Sequence, residues 1–459
     1  MAIRIGLRDV MARNYSFSTV RIALLLLVSM TVPAVAQQKL QASDLIALAN
    51  SDKPGFREAV ATTFAAKALQ DGTAWVEYGS QFFCVVETDA QPSLIIDDGA
   101  ATPMRSIAGS TLWYGYITNL QVGKSHTFHY LVHGTEFGGS FDVPGLSPMS
   151  YAMPGVPQGK LSEKRVNVSS IYDGMKTDFW VYVPAEYDPT TPAALMVFQD
   201  GESYTHRDGR LQALNVFDNL IAAKKMPVTI FVMINPGDIT DSPGTPTFKF
   251  VSRFAEEHHR TLKDSMRSTL YDTVSDRYVR FLRDELLPEA LADLNVRNDA
   301  NSHAIAGGSS GGICAFNAAW QMPDEFSRVQ SWVGSFTDLQ WHERPDITEG
   351  GQDFPDMVLR GPKRNIRVWS QDGANDLDRG DDSWPLNNLR MANALKLSGY
   401  DFHFSFGKGT HNVAQGASEF PESLAWLWRG YDPAMTQQTF EQDAVEKTKP
   451  VFRVAIVNR

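Results

Sequence analysis

Strand and helix patterns alternate along the second part of the chain, and this alternation constrains the fold more than any other sequence feature. Helical patterns, such as those at residues 211–225 and 274–291, separate the strand patterns. The strand patterns occupy residues 178–184, 194–200, 228–235, 303–307, 366–371 and 401–406. Parallel strands need crossover connections, so the pattern predicts an α/β fold with a mostly parallel central sheet covered by helices on both faces. In such a sheet, the functional site lies at the carboxyl ends of the strands.

The chain before this region has a different pattern. Residues 73–145 contain short β-rich runs separated by Gly, Asp and Pro turns, which predict a small β-sandwich domain. Residues 37–72 are predicted to be helical, and the Pro-, Gly- and Ser-rich residues 146–158 to be a linker. These boundaries leave residues 159–432 as the α/β domain and residues 433–459 as a C-terminal tail.

Residues 1–36 have the pattern of a secretory signal peptide. Four arginines precede an apolar run at residues 22–32, and Ala34-Val35-Ala36 follows it. The run is shorter than the ~20 residues that a membrane span needs. We therefore predict cleavage after Ala36, export to the periplasm or the exterior, and no membrane span in the mature protein.

The charge and the cysteines exclude several classes of partner. The formal net charge is −11 and becomes more negative without residues 1–36, so we expect no nucleic-acid partner, because such a chain repels polyphosphate. Cys84 and Cys314 are the two cysteines of the chain, and we predict both to be buried and unpaired. An all-thiolate zinc site is excluded, and the H-E-x-x-H and EF-hand patterns are absent. We therefore expect neither a metal nor a cofactor.

Residues 305–312 read "IAGGSSGG" and match the G-x-S-x-G pattern twice, around Ser309 and around Ser310. A strand pattern precedes the motif and a helical pattern follows it, which is the context of a nucleophile elbow. With Ser309 at the centre, Gly307 and Gly311 flank the tight turn, and Gly312 lies where the helix packs closest to the sheet. The glycine pattern therefore favours Ser309 over Ser310.

A serine nucleophile needs a histidine base, which in α/β hydrolases comes late in the chain. Three histidines follow Ser309. His403 lies within a strand pattern, and His342 comes too early in the expected order. His411 directly follows the last strand in a glycine-bearing loop, so we predict that it is the base.

The base needs an acid that holds it in the correct tautomer. The loop after residues 366–371 is dense in aspartates. Asp376 has the favoured position three residues past Gly373, Asp378 is the second choice and Asp372 a weaker third. The oxyanion hole needs two backbone N–H groups. We predict that Ser310 supplies the first, and that the loop after Gly201 supplies the second from Glu202 or Ser203.

From about residue 155 onward, these motifs resemble the enterochelin esterase (Fes-like, esterase D-like) group of α/β hydrolases. Feruloyl and acetyl xylan esterases of carbohydrate esterase family 1 belong to the same group. The matching segments are "WVYVPAEYD", "VFQDGE", "RSTLYDTVSDRYVRFLRDELLP", "IAGGSSGGICAF", "QDGANDLD" and "GTHN". The family elbow A-G-x-S-x-G-G aligns with residues 306–312, and the resemblance supports Ser309 with Asp376 and His411 as partners.

The resemblance implies an exported serine esterase that acts through an acyl-enzyme on small-molecule or glycan esters. Feruloyl or acetyl carbohydrate esters and siderophore-type lactones are the implied substrates, and Arg267 is implied to bind an anionic catecholate. It also implies that residues 73–145 form an early-set-like β-sandwich, which binds glycans or shapes the entrance of the catalytic domain. Two alternatives stay open: a catalytically inactive hydrolase fold that binds glycans, and a serine peptidase.

Overall fold

The computed structural model of the protein describes residues 40–51, 55–238, 266–337, 339, 350–379 and 382–453. The predicted signal peptide lies outside the described residues. Within them, no helix is both long enough and apolar enough to cross a membrane. Cys84 and Cys314 are buried and unpaired, which confirms that prediction.

Two four-stranded antiparallel sheets form the N-terminal part. Their strands are β1 (Ala74–Tyr78), β2 (Gln81–Glu87), β3 (Ser93–Ile96), β4 (Thr102–Pro103), β5 (Arg105–Ser106), β6 (Leu112–Ile117), β7 (Lys124–Val132) and β8 (Thr135–Gly145). The strand orders are β1-β2-β6-β5 and β4-β3-β7-β8. Phe82 and Cys84 from the first sheet share one core cluster with Leu94 and Phe128 from the second, so the sheets pack face to face.

A larger sheet follows in the chain. Its strands are β9 (Lys160–Leu161), β10 (Arg165–Val168), β11 (Lys176–Val183), β12 (Ala194–Gln199), β13 (Thr229–Ile234), β14 (His303–Gly308), β15 (Arg328–Trp332), β16 (Arg367–Asn375) and β17 (Asp401–Thr410). The order is β10-β11-β13-β12-β14-β15-β16-β17, with β9 also paired to β11. The pairs among β12 to β17 are parallel, and the pairs made by β11 are antiparallel. The predicted mostly parallel sheet is therefore present.

Three short helices precede β1: α1 (Ala42–Ala49), α2 (Phe56–Thr63) and α3 (Ala66–Gln70). The helices of the central-sheet region and the C-terminal tail are α4 (Ala213–Ala222), α5 (Arg267–Tyr271), α6 (Arg277–Phe281), α7 (Leu287–Ala290), α8 (Ser310–Gln321), α9 (Phe354–Arg360), α10 (Trp384–Leu397), α11 (Ala414–Leu427) and α12 (Ala444–Thr448). The helix predicted at residues 274–291 begins later, at Arg277, and includes a π-helical segment, Leu282–Leu286, between α6 and α7. A π segment of this kind shifts the buried face of a helix by inserting an extra residue into one turn.

Both faces of the central sheet are buried. On β12, Leu195 and Val197 belong to one core cluster, whereas Met196 and Phe198 belong to another. Because successive side chains of a strand point to opposite faces, the two clusters lie on opposite sides of the sheet. Burial on both faces explains why the strand patterns are continuous apolar runs.

The segment predicted to be a linker, residues 146–158, is packed against α4, which covers the central sheet. Asn219 Nδ2 on α4 donates hydrogen bonds of 2.8 Å to the Met149 carbonyl and 2.7 Å to the Tyr151 carbonyl. Asn215 Nδ2 donates to the Ser150 carbonyl at 3.1 Å. These contacts attach the segment that follows β8 to α4.

His403 lies on β17, where its ring stacks on Trp369 of β16 with a centroid distance of 3.9 Å. Burial and the nearby Lys449 ammonium lower the pKa of His403 to about 4. In the unfolded chain the pKa of a histidine is about 6.5. Because the folded protein keeps the ring neutral, its contribution to the free energy of unfolding is complete above pH 6.5 and is lost as the pH falls toward 4. The loss amounts to about 3 kcal/mol at most.

We therefore expect His403→Gln to flatten the decline in the free energy of unfolding between pH 7 and pH 4. Urea denaturation across that range measures it, and the same substitution at His133, whose side chain is 66% exposed, is the control. A pH dependence equal to that of the wild type would contradict the assignment.

Candidate active site

Ser309 lies in a sharp turn between β14 and α8. Its backbone angles, φ 58° and ψ −125°, fall in a region that residues with a side chain rarely adopt. Two neighbouring strand ends also have positive φ: Asp200 after β12 has φ 57°, and Val333 after β15 has φ 42°. Since β12, β14 and β15 are adjacent, three residues with this unusual backbone conformation lie side by side at the carboxyl edge of the sheet.

The glycines around Ser309 are not equivalent. A Cβ atom on Gly307 would lie 2.3 Å from the carbonyl oxygen of Gly311, and one on Gly312 would lie 2.7 Å from a β15 side chain. In contrast, a Cβ on Gly308 would meet its nearest neighbour at 3.6 Å, an ordinary van der Waals contact. A Cβ on Gly311 would lie 3.0 Å from the Gln199 side chain, which is a tight contact. The motif centred on Ser309 therefore has restricted space at both of its glycines, Gly307 and Gly311, whereas the motif centred on Ser310 includes Gly308, where a side chain would fit.

Three of the side chains selected from the sequence form a hydrogen-bonded series. Ser309 Oγ lies 2.7 Å from His411 Nε2, and His411 Nδ1 lies 2.6 Å from Asp376 Oδ1. The Asp376 side chain is fully buried, whereas that of His411 is 23% exposed. This arrangement holds an acceptor nitrogen at the serine hydroxyl and a carboxylate at the opposite nitrogen.

The other two acid candidates occupy different positions. Asp378 forms an isolated β-bridge with Ser383. Asp372 is buried behind Asp376, and burial raises its pKa well above the usual range, with the Asp376 carboxyl raising it further. The Gly373 N–H donates to Asp372 Oδ1 at 2.8 Å.

Ser310 is buried at the first position of α8, near the buried Asp272, whereas Ser309 Oγ contacts His411. Burial raises the pKa of Asp272 to about 6, and hydrogen bonds from the Ser268 and Ser310 hydroxyls oppose that rise. The two serines of the motif thus have different partners. The Ser310 N–H is at the N-terminus of α8, where the helix dipole favours negative charge.

If Ser309 is the nucleophile, we expect Ser310→Ala to keep most of the hydrolysis of p-nitrophenyl acetate, because the substitution retains the backbone N–H. It should lower the free energy of unfolding by about 1 kcal/mol, since the buried Asp272 loses a donor. Steady-state kinetics and urea denaturation measure the two effects. An activity loss as large as that of Ser309→Ala would instead identify the Ser310 hydroxyl as the nucleophile.

The loop after β12 carries the second amide predicted for the oxyanion hole. The Glu202 N–H donates to Asn235 Oδ1 at 3.0 Å, and the Ser203 N–H donates to the Asp200 carbonyl at 3.1 Å. Both predicted amides therefore have partners within the protein. Gly201 is needed for a reason other than substrate access, because a Cβ there would lie 2.2 Å from a backbone nitrogen of β13.

Arg267, at the start of α5, forms a bidentate ion pair with Asp200. Its Nε donates to Oδ1 at 2.8 Å, and one terminal nitrogen donates to Oδ2 at 2.7 Å. The same terminal nitrogen donates to the Gly308 carbonyl at 3.2 Å. Arg267 therefore connects the loop after β12 to the strand that precedes Ser309, and its predicted contact with an anionic substrate stays a prediction.

The structure adds residues that the sequence reasoning did not select. Ser335 Oγ lies 3.3 Å from Ser309 Oγ and accepts a hydrogen bond of 3.2 Å from Trp384 Nε1. The Trp384 ring is 5.7 Å from the His411 ring in an edge-on arrangement. Ser335 and Asn235 follow strands β15 and β13, so the rule that sites form at carboxyl ends could have selected them.

The described part of the chain contains no group of three or more His, Cys, Asp or Glu side chains that could hold a metal ion. His342, the histidine that comes too early in the expected order, lies outside the described residues.

A strained serine turn between a parallel strand and a helix, at the carboxyl edge of a mostly parallel sheet, defines the architecture of an α/β hydrolase. The profile of the family "Putative esterase" matches residues 170–427, more than half of the chain. The chain belongs to this esterase family.

One curated relative and two solved structures illustrate the similarity. The iron(III) enterobactin esterase of Dickeya dadantii (strain 3937) is 26% identical over 157 residues, which cover 33% of this chain and 35% of the relative. The chain thus aligns with about a third of that protein. The enterobactin esterase FES of Shigella flexneri, crystallised in the presence of enterobactin, has a TM-score of 0.48 and 15% identity, over 78% of this chain and 96% of its own. The ferulic acid esterase AmCE1/Fae1A of Anaeromyces mucronatus has a TM-score of 0.43 and 13% identity, over 62% and 96%.

Proposed function

We propose that the protein is an exported serine carboxylic-ester hydrolase that acts through an acyl-enzyme. The observation that carries this proposal is the hydrogen-bonded series from Ser309 Oγ through His411 to the buried Asp376. Membership in an esterase family supports hydrolysis of an ester bond. Export is inferred from the signal-peptide pattern of residues 1–36.

In the first half of the reaction, His411 Nε2 accepts the Ser309 proton while Oγ attacks the ester carbonyl carbon. The imidazolium that forms is stabilised by Asp376, and the negative oxygen of the tetrahedral intermediate is stabilised by the Ser310 N–H. His411 then returns the proton to the departing alkoxide, and the acyl group stays on Ser309. In the second half, His411 removes a proton from water, which attacks the acyl carbon. The bond from the acyl carbon to Ser309 Oγ then breaks, His411 gives the proton to Oγ, and the carboxylic acid is released.

The Glu202 N–H is the proposed second donor to the oxyanion. It can take that role when Asn235 Oδ1 releases it, and a charged oxygen accepts a stronger hydrogen bond than a neutral amide oxygen does. The exchange costs little, because the Asn235 side chain is only half-buried at the surface of the site.

Feruloyl or acetyl esters of carbohydrates and siderophore-type lactones are the proposed substrates. The names of the relatives support these two classes, and Arg267 offers a cationic group beside the serine turn for an anionic catecholate. Its ion pair with Asp200 neutralises much of that charge. A neutral ester therefore fits the electrostatics of the site at least as well as an anionic one.

The test begins with the mature chain, purified from Gln37, and p-nitrophenyl acetate as substrate. A fluorophosphonate should label Ser309, which peptide mapping identifies. A panel of methyl ferulate, acetylated xylan, a catecholate trilactone and a peptide amide then compares the substrate classes by kcat/KM. Absence of turnover and of labelling would favour the inactive glycan-binding alternative, and cleavage of the amide alone would favour a peptidase.

A further inference from the structure

The last strand of the N-terminal sheets contacts the residue that precedes His411. Asp142 on β8 accepts two hydrogen bonds from Thr410 at the end of β17. The Thr410 N–H donates to Oδ1 at 2.8 Å, and the Thr410 hydroxyl donates to Oδ2 at 2.6 Å. Both carboxylate oxygens of Asp142 are therefore used to hold one residue of the catalytic region.

The central sheet holds this residue only beyond an irregularity in its ladder. Strand β17 pairs regularly with β16 as far as Gly407, the register then shifts between Gly373 and Asn375, and Asn375 is the residue that pairs with Thr410. Beyond that irregularity, Asn375 Nδ2 donates to the Lys408 carbonyl at 2.6 Å. The end of β17 thus leaves the regular ladder just before His411, and it is held by β16 on one side and by β8 on the other.

We infer that Asp142 is a positioning residue for the catalytic histidine, so that the N-terminal β-sheets supply part of the active-site framework. The inference rests on the proposed function, in which His411 is the general base. It gives the N-terminal region a role that needs no glycan ligand. Because Thr410 and His411 are consecutive, a shift of the Thr410 backbone moves the imidazole relative to Ser309 Oγ, and displacements near 1 Å lower turnover strongly.

A second contact between the same regions provides a matched control. Lys408 pairs with Asp98, which lies just after β3, but the two side chains are 54% and 70% exposed. Exposed ion pairs contribute little to stability. Asp98→Ala therefore removes a carboxylate that contacts the same end of β17 without removing a backbone hydrogen bond next to His411.

The experiment compares Asp142→Ala, Asp142→Asn, Thr410→Val and Asp98→Ala with the wild type and with Ser309→Ala, all in the full mature chain. Its readouts are kcat and KM for p-nitrophenyl acetate, the rate of labelling by a fluorophosphonate, and the thermal midpoint. For Asp142→Ala we expect kcat and the labelling rate to fall about 10- to 100-fold, with KM and the thermal midpoint nearly unchanged. Thr410→Val should show a smaller fall, and Asp98→Ala none.

Asp142→Asn distinguishes the effect of the hydrogen bonds that position Thr410 from the effect of the carboxylate charge. Its amide oxygen can accept from the Thr410 N–H, and its amide nitrogen can donate to the Thr410 hydroxyl. We expect it to recover most of the kcat that Asp142→Ala loses. A loss in Asp142→Asn equal to that in Asp142→Ala would overturn the positioning role, because the hydrogen bonds are kept and only the charge is lost.

The remaining outcomes are also decisive. Unchanged kcat in a folded Asp142→Ala overturns the inference. If Asp142→Ala does not fold, unchanged kcat in Thr410→Val overturns it and a selective fall in kcat supports it. Retention of full activity by Ser309→Ala overturns the proposed function itself, and that result is independent of the behaviour of the Asp142 variants.

Discussion

Replacement of Ser309 by alanine is expected to lower kcat for ester substrates by about 10⁴- to 10⁶-fold, because no acyl-enzyme can form without the nucleophile. The fold should survive, since alanine removes only the Oγ atom from a half-buried side chain. Removing a polar atom next to His411 can even raise stability slightly, because strained catalytic sites are rarely optimised for folding. The measurement is steady-state hydrolysis of p-nitrophenyl acetate, with urea denaturation to show that the variant is folded.

The residue that a fluorophosphonate labels is the control for this prediction. In the wild type the label should be on Ser309, and Ser310 should not be labelled in any variant. Ser310→Ala, which changes the adjacent hydroxyl in the same motif, should label at close to the wild-type rate. If Ser309→Ala kept its activity or its label, the proposed nucleophile would be wrong.

Asp376→Asn is expected to lower kcat by about 10³- to 10⁴-fold, because an amide can neither stabilise the imidazolium nor enforce the correct tautomer of His411. The Asp376 side chain is fully buried and accepts hydrogen bonds from His411 Nδ1 at 2.6 Å and from the Leu377 N–H at 2.5 Å. KM should change much less than kcat, since Asp376 lies behind the imidazole and not against the substrate.

Asp378→Asn is the matched control for Asp376→Asn, because it makes the same chemical change two residues away in the same loop. Its kcat should stay close to the wild-type value. The reverse result, with Asp378→Asn inactive and Asp376→Asn active, would show that the hydrogen-bonded series seen in the structure is not the one used in catalysis. Both variants need a check by urea denaturation, since Asp376 is buried.

The parts of the site that sequence reasoning could predict depend on local patterns. The glycines that flank Ser309 select one of two overlapping motifs, since a tight turn excludes Cβ atoms at fixed spacings. The strand patterns were also predictable, because burial on both faces leaves continuous apolar runs. His411 could be selected by its place just after the last strand.

Other parts of the site could not be predicted, because they depend on contacts between distant segments. Asp372, Asp376 and Asp378 look alike in the sequence, and only the folded chain shows which carboxyl lies beside His411. The Glu202 amide pairs with Asn235, and Arg267 pairs with Asp200. Both contacts join residues that are far apart in the sequence. No sequence signal distinguishes Asp142 from the other aspartates of the N-terminal region.

The sequence by itself determined the α/β alternation, the serine turn and the order of the candidate catalytic groups, because each of these is encoded within a few consecutive residues. Only the tertiary structure decided which aspartate faces His411, that Ser310 lies near the buried Asp272, and that β8 contacts the end of β17. The physical reason is that hydrogen-bond partners are chosen by proximity in space. That proximity arises only when the strands have been placed side by side and the N-terminal sheets have packed against them.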